Sequence, residues 1–179
     1  MERKLNMAKA IAGMLVENLY QEMEVWVPIY RLQEIGVEVK IIAPTTNLYK
    51  SKLGYPANPD MSAKEALANS FDLIIIPGGY APDLLRVDND VIQLIKKNYS
   101  NGALIAAICH GTWVLISAQL ISGVKVTGAS QIKDDIENAG GIYSDSPVVI
   151  DQNIITSRKP SDIPYFCKAI VDALEKKAK

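Results

Sequence analysis

Ala103–Ile108 is a short run of small and branched apolar residues that stops at Cys109-His110-Gly111, ahead of a stretch from Thr112 with the pattern of a helix. The run reads as a buried strand, then a sharp turn and a helix start, with the thiol at the corner. Cys109 then stands at the carboxyl end of a central strand, near the backbone N–H groups that open the next helix. Such groups favour a thiolate, so the pattern predicts a lowered thiol pKa. Gly111 is expected to let the backbone turn steeply and to leave room for a ligand. The arrangement is that of a nucleophile elbow with Cys in place of Ser. A lone Cys in an apolar strand is usually just core. His110, the single histidine of the chain, alters that reading because it directly follows the thiol. It could pair with the sulfur across the turn, or work with a carboxylate brought from elsewhere.

The remaining segments set this elbow in an alternating frame. Ala8–Val16 reads as a first buried strand, and Glu17–Gln21 as the loop at its carboxyl end. Glu22–Ile35 has near-helical apolar spacing, with Pro28 predicting a kink or a place near the first turns. Val37–Ala43 is a second strand, closed by Pro44. This opening predicts a parallel sheet with helices on both faces. Leu53-Gly54-Tyr55 suits a small hairpin beside the sheet, Ala63–Ala68 a short helix and Phe71–Ile76 a strand. Pro77–Asp83 reads as a turn whose glycines let a backbone N–H face a ligand. Asp90–Tyr99 and Thr112–Leu120 read as helices, Val124–Gly128 as a strand and Gln131–Ala139 as a helix. Ser146–Ile150 and Ile154–Ser157 flank an Asp151-Gln152-Asn153 turn of the kind Asx residues favour. Ile163–Lys177 is the final helix, with Cys167 packed inside it.

Composition excludes several function classes. At 179 residues the chain suits one domain with a well-filled core. A formal net charge of -1 with both signs interspersed gives neither a nucleic-acid footprint nor a membrane-seeking face. No apolar run approaches the ~20 residues of a spanning helix, and Ala10–Val16 is too short and interrupted for a signal peptide. Met1–Lys4 is merely charged. Two cysteines give no disulfide framework, and one histidine without a Cys-x-x-Cys pair predicts no metal site. The expectation is a soluble cytoplasmic protein of one domain.

In an open α/β sheet, ligands sit outside the carboxyl ends of the strands. The loop after the first strand, the Gly78-Gly79 turn and the Cys109 elbow would converge there. A buried carboxylic acid beside the sulfur could donate a hydrogen bond to a thiolate. By position Glu17, Glu22 and Glu24 all qualify, and each could equally be a solvated charge.

Five segments stand in one order over about residues 10–165: Gln21–Glu24, Ile76–Asp83, Ala106–Gly111, Ile132–Asp135 and Ser157–Asp162. Together they resemble the ThiJ/PfpI family of the class I glutamine-amidotransferase-like superfamily. The Cys-His pair is more similar to the PfpI intracellular-protease branch than to the parkinsonism-associated branch, which has no His after its Cys. The resemblance implies an α/β flavodoxin-like three-layer sandwich, a mostly parallel sheet with helices on both faces, Cys109 as nucleophile and no cofactor. It implies that Glu24 hydrogen-bonds the elbow sulfur, and that Gly78, Gly79 and the His110 amide take the oxyanion-hole positions. It also implies a homo-oligomer, dimer or hexamer, in which Asp83 of a neighbouring subunit is the third triad member. Asp83 is one carbon shorter than the usual Glu, which shortens its reach to His110. Thr112 stands where many relatives have Pro, and its hydroxyl is expected to cap the helix. Gly128-Ala129-Ser130 lacks the aromatic of PfpI-type proteases, which predicts a more open pocket.

Members of that family are described as peptidases, as glyoxalases that convert methylglyoxal to lactate, and as deglycases. All use a thiolate on an electrophilic carbon. The implied function is a cysteine-dependent hydrolase or lyase acting on a small carbonyl compound or a peptide. No loop insertion builds a groove for an extended peptide. A redox sensor or holdase chaperone would use the same reactive thiol, but a sensor has no need of His110. Glutaminase-type amidotransfer requires a later His, and none follows His110.

Overall fold

The elbow strand lies inside a seven-stranded sheet in the computed structural model, which describes residues 10–177. In chain order the elements begin β1 (Ile11–Leu15), α1 (Glu22–Glu34), β2 (Glu38–Ala43), β3 (Tyr49–Lys50), β4 (Pro56–Ala57), β5 (Met61–Ser62) and α2 (Ala63–Ala66). They continue with β6 (Leu73–Ile76), α3 (Ala81–Leu85), α4 (Asn89–Ser100), β7 (Leu104–Ile108), α5 (Thr112–Ser117) and β8 (Lys125–Val126). The chain ends with α6 (Lys133–Asn138), β9 (Ile142–Tyr143), β10 (Val148–Asp151), β11 (Ile154–Ser157) and α7 (Ile163–Lys177). Short 3-10 turns at Cys109–Gly111, Ser130–Ile132 and Pro160–Asp162 lead into α5, α6 and α7. The expected start of the first strand at Ala8, and the charged Met1–Lys4, lie outside the described residues.

The sheet runs β10-β11-β7-β6-β1-β2-β5, parallel throughout except for the β10/β11 hairpin. This is the α/β class expected, with α1 packed on α7, α2 on α4 and α3 on α5 around the sheet. Every residue of β6 and β7 is buried, which is why these strands read as continuous apolar runs. Each isoleucine so placed contributes roughly 1.5–3 kcal/mol of burial. The small Ala106 and Ala107 pair with Ile75 and Ile76 across the two strands. Strand order reverses at β1, which has β2 on one side and β6 on the other. The carboxyl ends of β1, β6 and β7 are therefore neighbours, at the place where an open α/β sheet forms its crevice.

Several expectations need correction. Ala81–Leu85 is a helix rather than part of a turn, because Pro82 stands in its first turn, where a missing N–H costs no helix bond. Val124–Gly128 contracts to β8, which leaves the main sheet and pairs in parallel with β9. The helix from Thr112 ends at Ser117, and Gln119 turns out of it with φ of +58°. Pro28 lies inside α1, which continues through it. Leu53-Gly54-Tyr55 does occupy the turn of the antiparallel β3/β4 hairpin. No helix among the described residues is long and apolar enough to cross a membrane.

Candidate active site

At the end of β7 the residue that turns the chain is Cys109 itself, with φ of +63°. Gly111, expected to make that turn, has an ordinary helical φ of −55°. Its side chain is absent for lack of space, since a Cβ there would stand 2.6 Å from the Ile76 carbonyl oxygen. The left-handed backbone at Cys109 brings consecutive side chains together. Cys109 Sγ lies 3.3 Å from His110 Nδ1, and both residues are half-buried.

Glu24 enters from the first turn of α1, whose N-terminus is capped by the Gln21 side chain. It is fully buried, and its Oε2 accepts the Gly78 N–H at 2.7 Å. Its Oε1 has no hydrogen-bond partner among the described residues. A Cβ on Gly78 would stand 2.6 Å from Glu24 Oε2 and 2.9 Å from Cys109 Sγ, so carboxyl and thiol crowd one backbone position. The other two glutamates are engaged elsewhere. Glu17 accepts the N–H of its neighbour Asn18, and Glu22 accepts that of Leu53 in the hairpin.

Burial pushes the Glu24 carboxyl up to about 7, against the opposing Gly78 hydrogen bond. Burial, and then the charge of Glu24, push the Cys109 thiol up to about 12. That corrects the expected low pKa. The N–H groups of His110 and Gly79 do favour the thiolate, but desolvation outweighs them. The charge of Glu24 disappears once Glu24 holds a proton, so the pair can carry a thiolate beside a carboxylic acid. Burial and the nearby Lys52 charge lower the pKa of His110, which keeps its imidazole neutral at pH 7.

The backbone N–H groups facing the sulfur are those of Gly79 and His110. Gly79 holds its place at φ of +83°, bridged to Tyr20. The N–H of Gly78 is committed to Glu24, which removes Gly78 from the expected oxyanion donors. Asp83 lies in the first turn of α3 and shares a cavity with His110, but no hydrogen bond joins them within this chain. Thr112 does not cap its helix. Its hydroxyl donates to the Thr127 carbonyl at 3.0 Å.

Two cavities meet at Cys109 and His110. One, of about 470 Å³, is lined also by Gln21, Lys52, Tyr80, Asp83, Trp113 and Pro160. The other, of about 320 Å³, is walled by Ala129, Ser130, Tyr143 and Arg158 among others. Lys52 and Trp113 were not singled out from the sequence. Lys52 arrives only because its N–H bonds the Tyr20 carbonyl and docks the hairpin beside the site. Among the described residues no group of three or more His, Cys, Asp or Glu is placed to hold a metal ion.

The sequence model of the DJ-1/PfpI family matches residues 10–173. The chain belongs to that family. Among DJ-1/PfpI relatives, "Deglycase PfpI" of Pyrococcus furiosus (strain ATCC 43587 / DSM 3638 / JCM 8422 / Vc1) is 34% identical over 161 residues, 90% of this chain and 97% of that protein. YraA of Bacillus subtilis (strain 168), whose name assigns it provisionally to the cysteine proteases, is 35% identical over 94% of this chain and all of its own length. A two-domain protein from Anabaena variabilis, containing DJ-1/ThiJ/PfpI-like and ferritin-like domains, superposes with a TM-score of 0.90 at 36% identity, over 93% of this chain and 48% of that one. Homologues with deglycase and protease names make an enzymatic role the family-level expectation for this DJ-1/PfpI chain.

Proposed function

We propose that this chain is a cofactor-independent, cysteine-dependent enzyme of the deglycase and glyoxalase type, with Cys109 as nucleophile. The observation that carries the reading is the 3.3 Å contact between Cys109 Sγ and His110 Nδ1, at the junction of two open cavities. Neutral His110 accepts the thiol proton, and the N–H groups of Gly79 and His110 stabilise the oxygen that becomes negative. With a 2-oxoaldehyde, the thiolate adds to the aldehyde carbon. The proton on that carbon is then relayed to the adjacent ketone carbon, leaving a thioester. Water hydrolyses the thioester to a 2-hydroxy acid and restores the thiol. The balance is one water added, with no oxidant or cofactor. From an amine-bound hemiaminal, the C–N bond breaks first as the hydroxyl proton passes to nitrogen. This frees the amine and regenerates the aldehyde, and the same course follows. Both cavities are lined by Cys109 and His110, which leaves room beside the thiol for a small carbonyl compound.

In this reading Asp83 of a second copy completes the site, because His110 has no acid partner among the described residues of its own chain. Exposed Tyr80, Leu84 and Val87 surround Asp83 and supply an apolar border for such a contact. The test is methylglyoxal consumption with chiral detection of lactate, in wild type, Cys109→Ala and His110→Ala, with casein digestion in parallel. Lactate lost in both variants with casein untouched supports the reading. Casein cleavage that depends on Cys109 would replace it with a peptidase. No turnover of either, with Cys109 still readily alkylated, would replace it with a redox sensor or chaperone.

A further inference from the structure

We propose that Trp113 is the positioning residue for His110, itself held in place by Asp135 and Arg86. A catalytic imidazole must keep one ring nitrogen on the sulfur, since rotation of the ring about its bond to Cβ replaces Nδ1 by a carbon. Within one chain, no carboxylate among the described residues hydrogen-bonds His110. The Asp83 proposed above to complete the site comes only from a second copy, so inside the chain the ring depends on other contacts. Trp113, three residues on and so on the neighbouring position of the turn, does contact it. The two ring centroids are 5.0 Å apart at 65°, an edge-to-face pair of the favourable kind.

Trp113 is only half-buried, so packing alone does not fix it. Two other elements do. Its indole N–H donates to Asp135 Oδ2 of α6 at 2.7 Å. The Arg86 guanidinium, just past α3, stands 5.4 Å from the ring centroid, and Arg86 Nε donates to Ser117 Oγ at 3.0 Å. A cation over an indole face is attracted to it. The indole is thus gripped at its N–H edge and on its ring, and it presents a fixed wall to His110 in the larger cavity.

This role rests on Cys109 and His110 acting as a thiol–imidazole pair, so the test uses alkylation, which needs no substrate. Iodoacetamide labelling of Cys109 is followed against pH in wild type, Trp113→Ala, Trp113→Phe, Asp135→Asn and His110→Ala, and in each of the Trp113 and Asp135 variants combined with His110→Ala. Trp113→Ala should slow labelling near neutral pH about two- to tenfold, the scale of an aromatic pair. It should also displace the His110-dependent step of the profile, and it should have no further effect once His110 is absent. Trp113→Phe and Asp135→Asn should fall between wild type and Trp113→Ala, and they carry the test if Trp113→Ala does not fold. Glu24, Lys52, Asp83, Asp145, Arg158 and Lys159 also face the pair from their own elements, and they remain constant throughout these variants.

An equal slowing by Trp113→Ala with and without His110, or no slowing at all, would overturn the proposal. His110→Ala with unchanged labelling would instead overturn the pair on which it rests.

Discussion

His110 Nδ1 reaches Cys109 Sγ at 3.3 Å although the two residues are consecutive. In an extended strand their side chains would point to opposite faces. The φ of +63° at Cys109 ends that alternation within one residue. A left-handed conformation at a residue with a Cβ costs roughly 1–3 kcal/mol and persists only where the surroundings over-determine it. Here β7 is buried before the turn, and Gly111 is wedged against the Ile76 carbonyl after it.

The two cysteines should separate under alkylation of the folded protein. Cys167 is 7% exposed in α7, whereas Cys109 is only half-buried, opens on two cavities and has an imidazole beside it to take its proton. Intact-mass analysis should show one adduct, mapped to Cys109, and a second only after denaturation. Cys109→Ala should show none in the folded state. A native adduct on Cys167 would contradict this.

Glu24→Gln should stabilise the fold at neutral and higher pH. Burial raises the Glu24 pKa from 4.5 to about 7, so the folded state holds this proton more tightly than the unfolded chain does. Below the unfolded value both states are protonated and there is no penalty. As pH rises through the folded value the buried charge costs stability, levelling at roughly 3 kcal/mol. Gln keeps an oxygen for the Gly78 N–H without the charge. Thermal melts should therefore place the variant above wild type at pH 8, with the gap closing below pH ~4.5. A constant gap across this range would refute the assignment.

Gly78→Ala should damage the site more than Gly54→Ala does. The added Cβ at Gly78 would meet Cys109 Cβ and Glu24 Oε2 at 2.6 Å each. At Gly54, with φ of +86°, nothing lies within 4 Å and only backbone strain is added. The first variant should lose about 1–3 kcal/mol to overpacking and alkylate Cys109 at a changed rate. The second should keep the wild-type rate. Chemical denaturation and labelling kinetics measure both effects.

Thr112→Val should lose about 1–2 kcal/mol, because it leaves the buried Thr127 carbonyl without the hydroxyl that donates to it. Thr112→Ser, which keeps the hydroxyl, should retain most of the stability through the same carbonyl, as read from denaturant midpoints.

The sheet was legible in the sequence because its two central strands, Leu73–Ile76 and Leu104–Ile108, carry no polar residue. Short runs of this kind, bounded by turn residues, suit strands covered on both faces. The β10/β11 hairpin was legible from Asp151-Gln152-Asn153, where Gln152 takes φ of +52°. The short α3 was not, since Pro82 reads alike in a turn and in a first helical turn. Nor was the departure of β8 to pair with β9, because two-residue strands leave no periodicity.

For the site, the order of residues along the chain places the reactive types at the carboxyl ends of the strands: a thiol with an imidazole beside it, paired glycines, and three glutamates after β1. Tertiary structure decided which of them meet. Strand order puts β1, β6 and β7 side by side, so Glu24 rather than Glu17 or Glu22 reaches the thiol, and the Gly78 N–H is spent on that carboxyl. Burial decided that the thiol rises rather than falls in pKa. The docked hairpin brought in Lys52, and α6 supplied the Asp135 that holds Trp113. Local spacing encodes elements, whereas contacts between distant residues and the loss of solvent around them exist only once the elements pack.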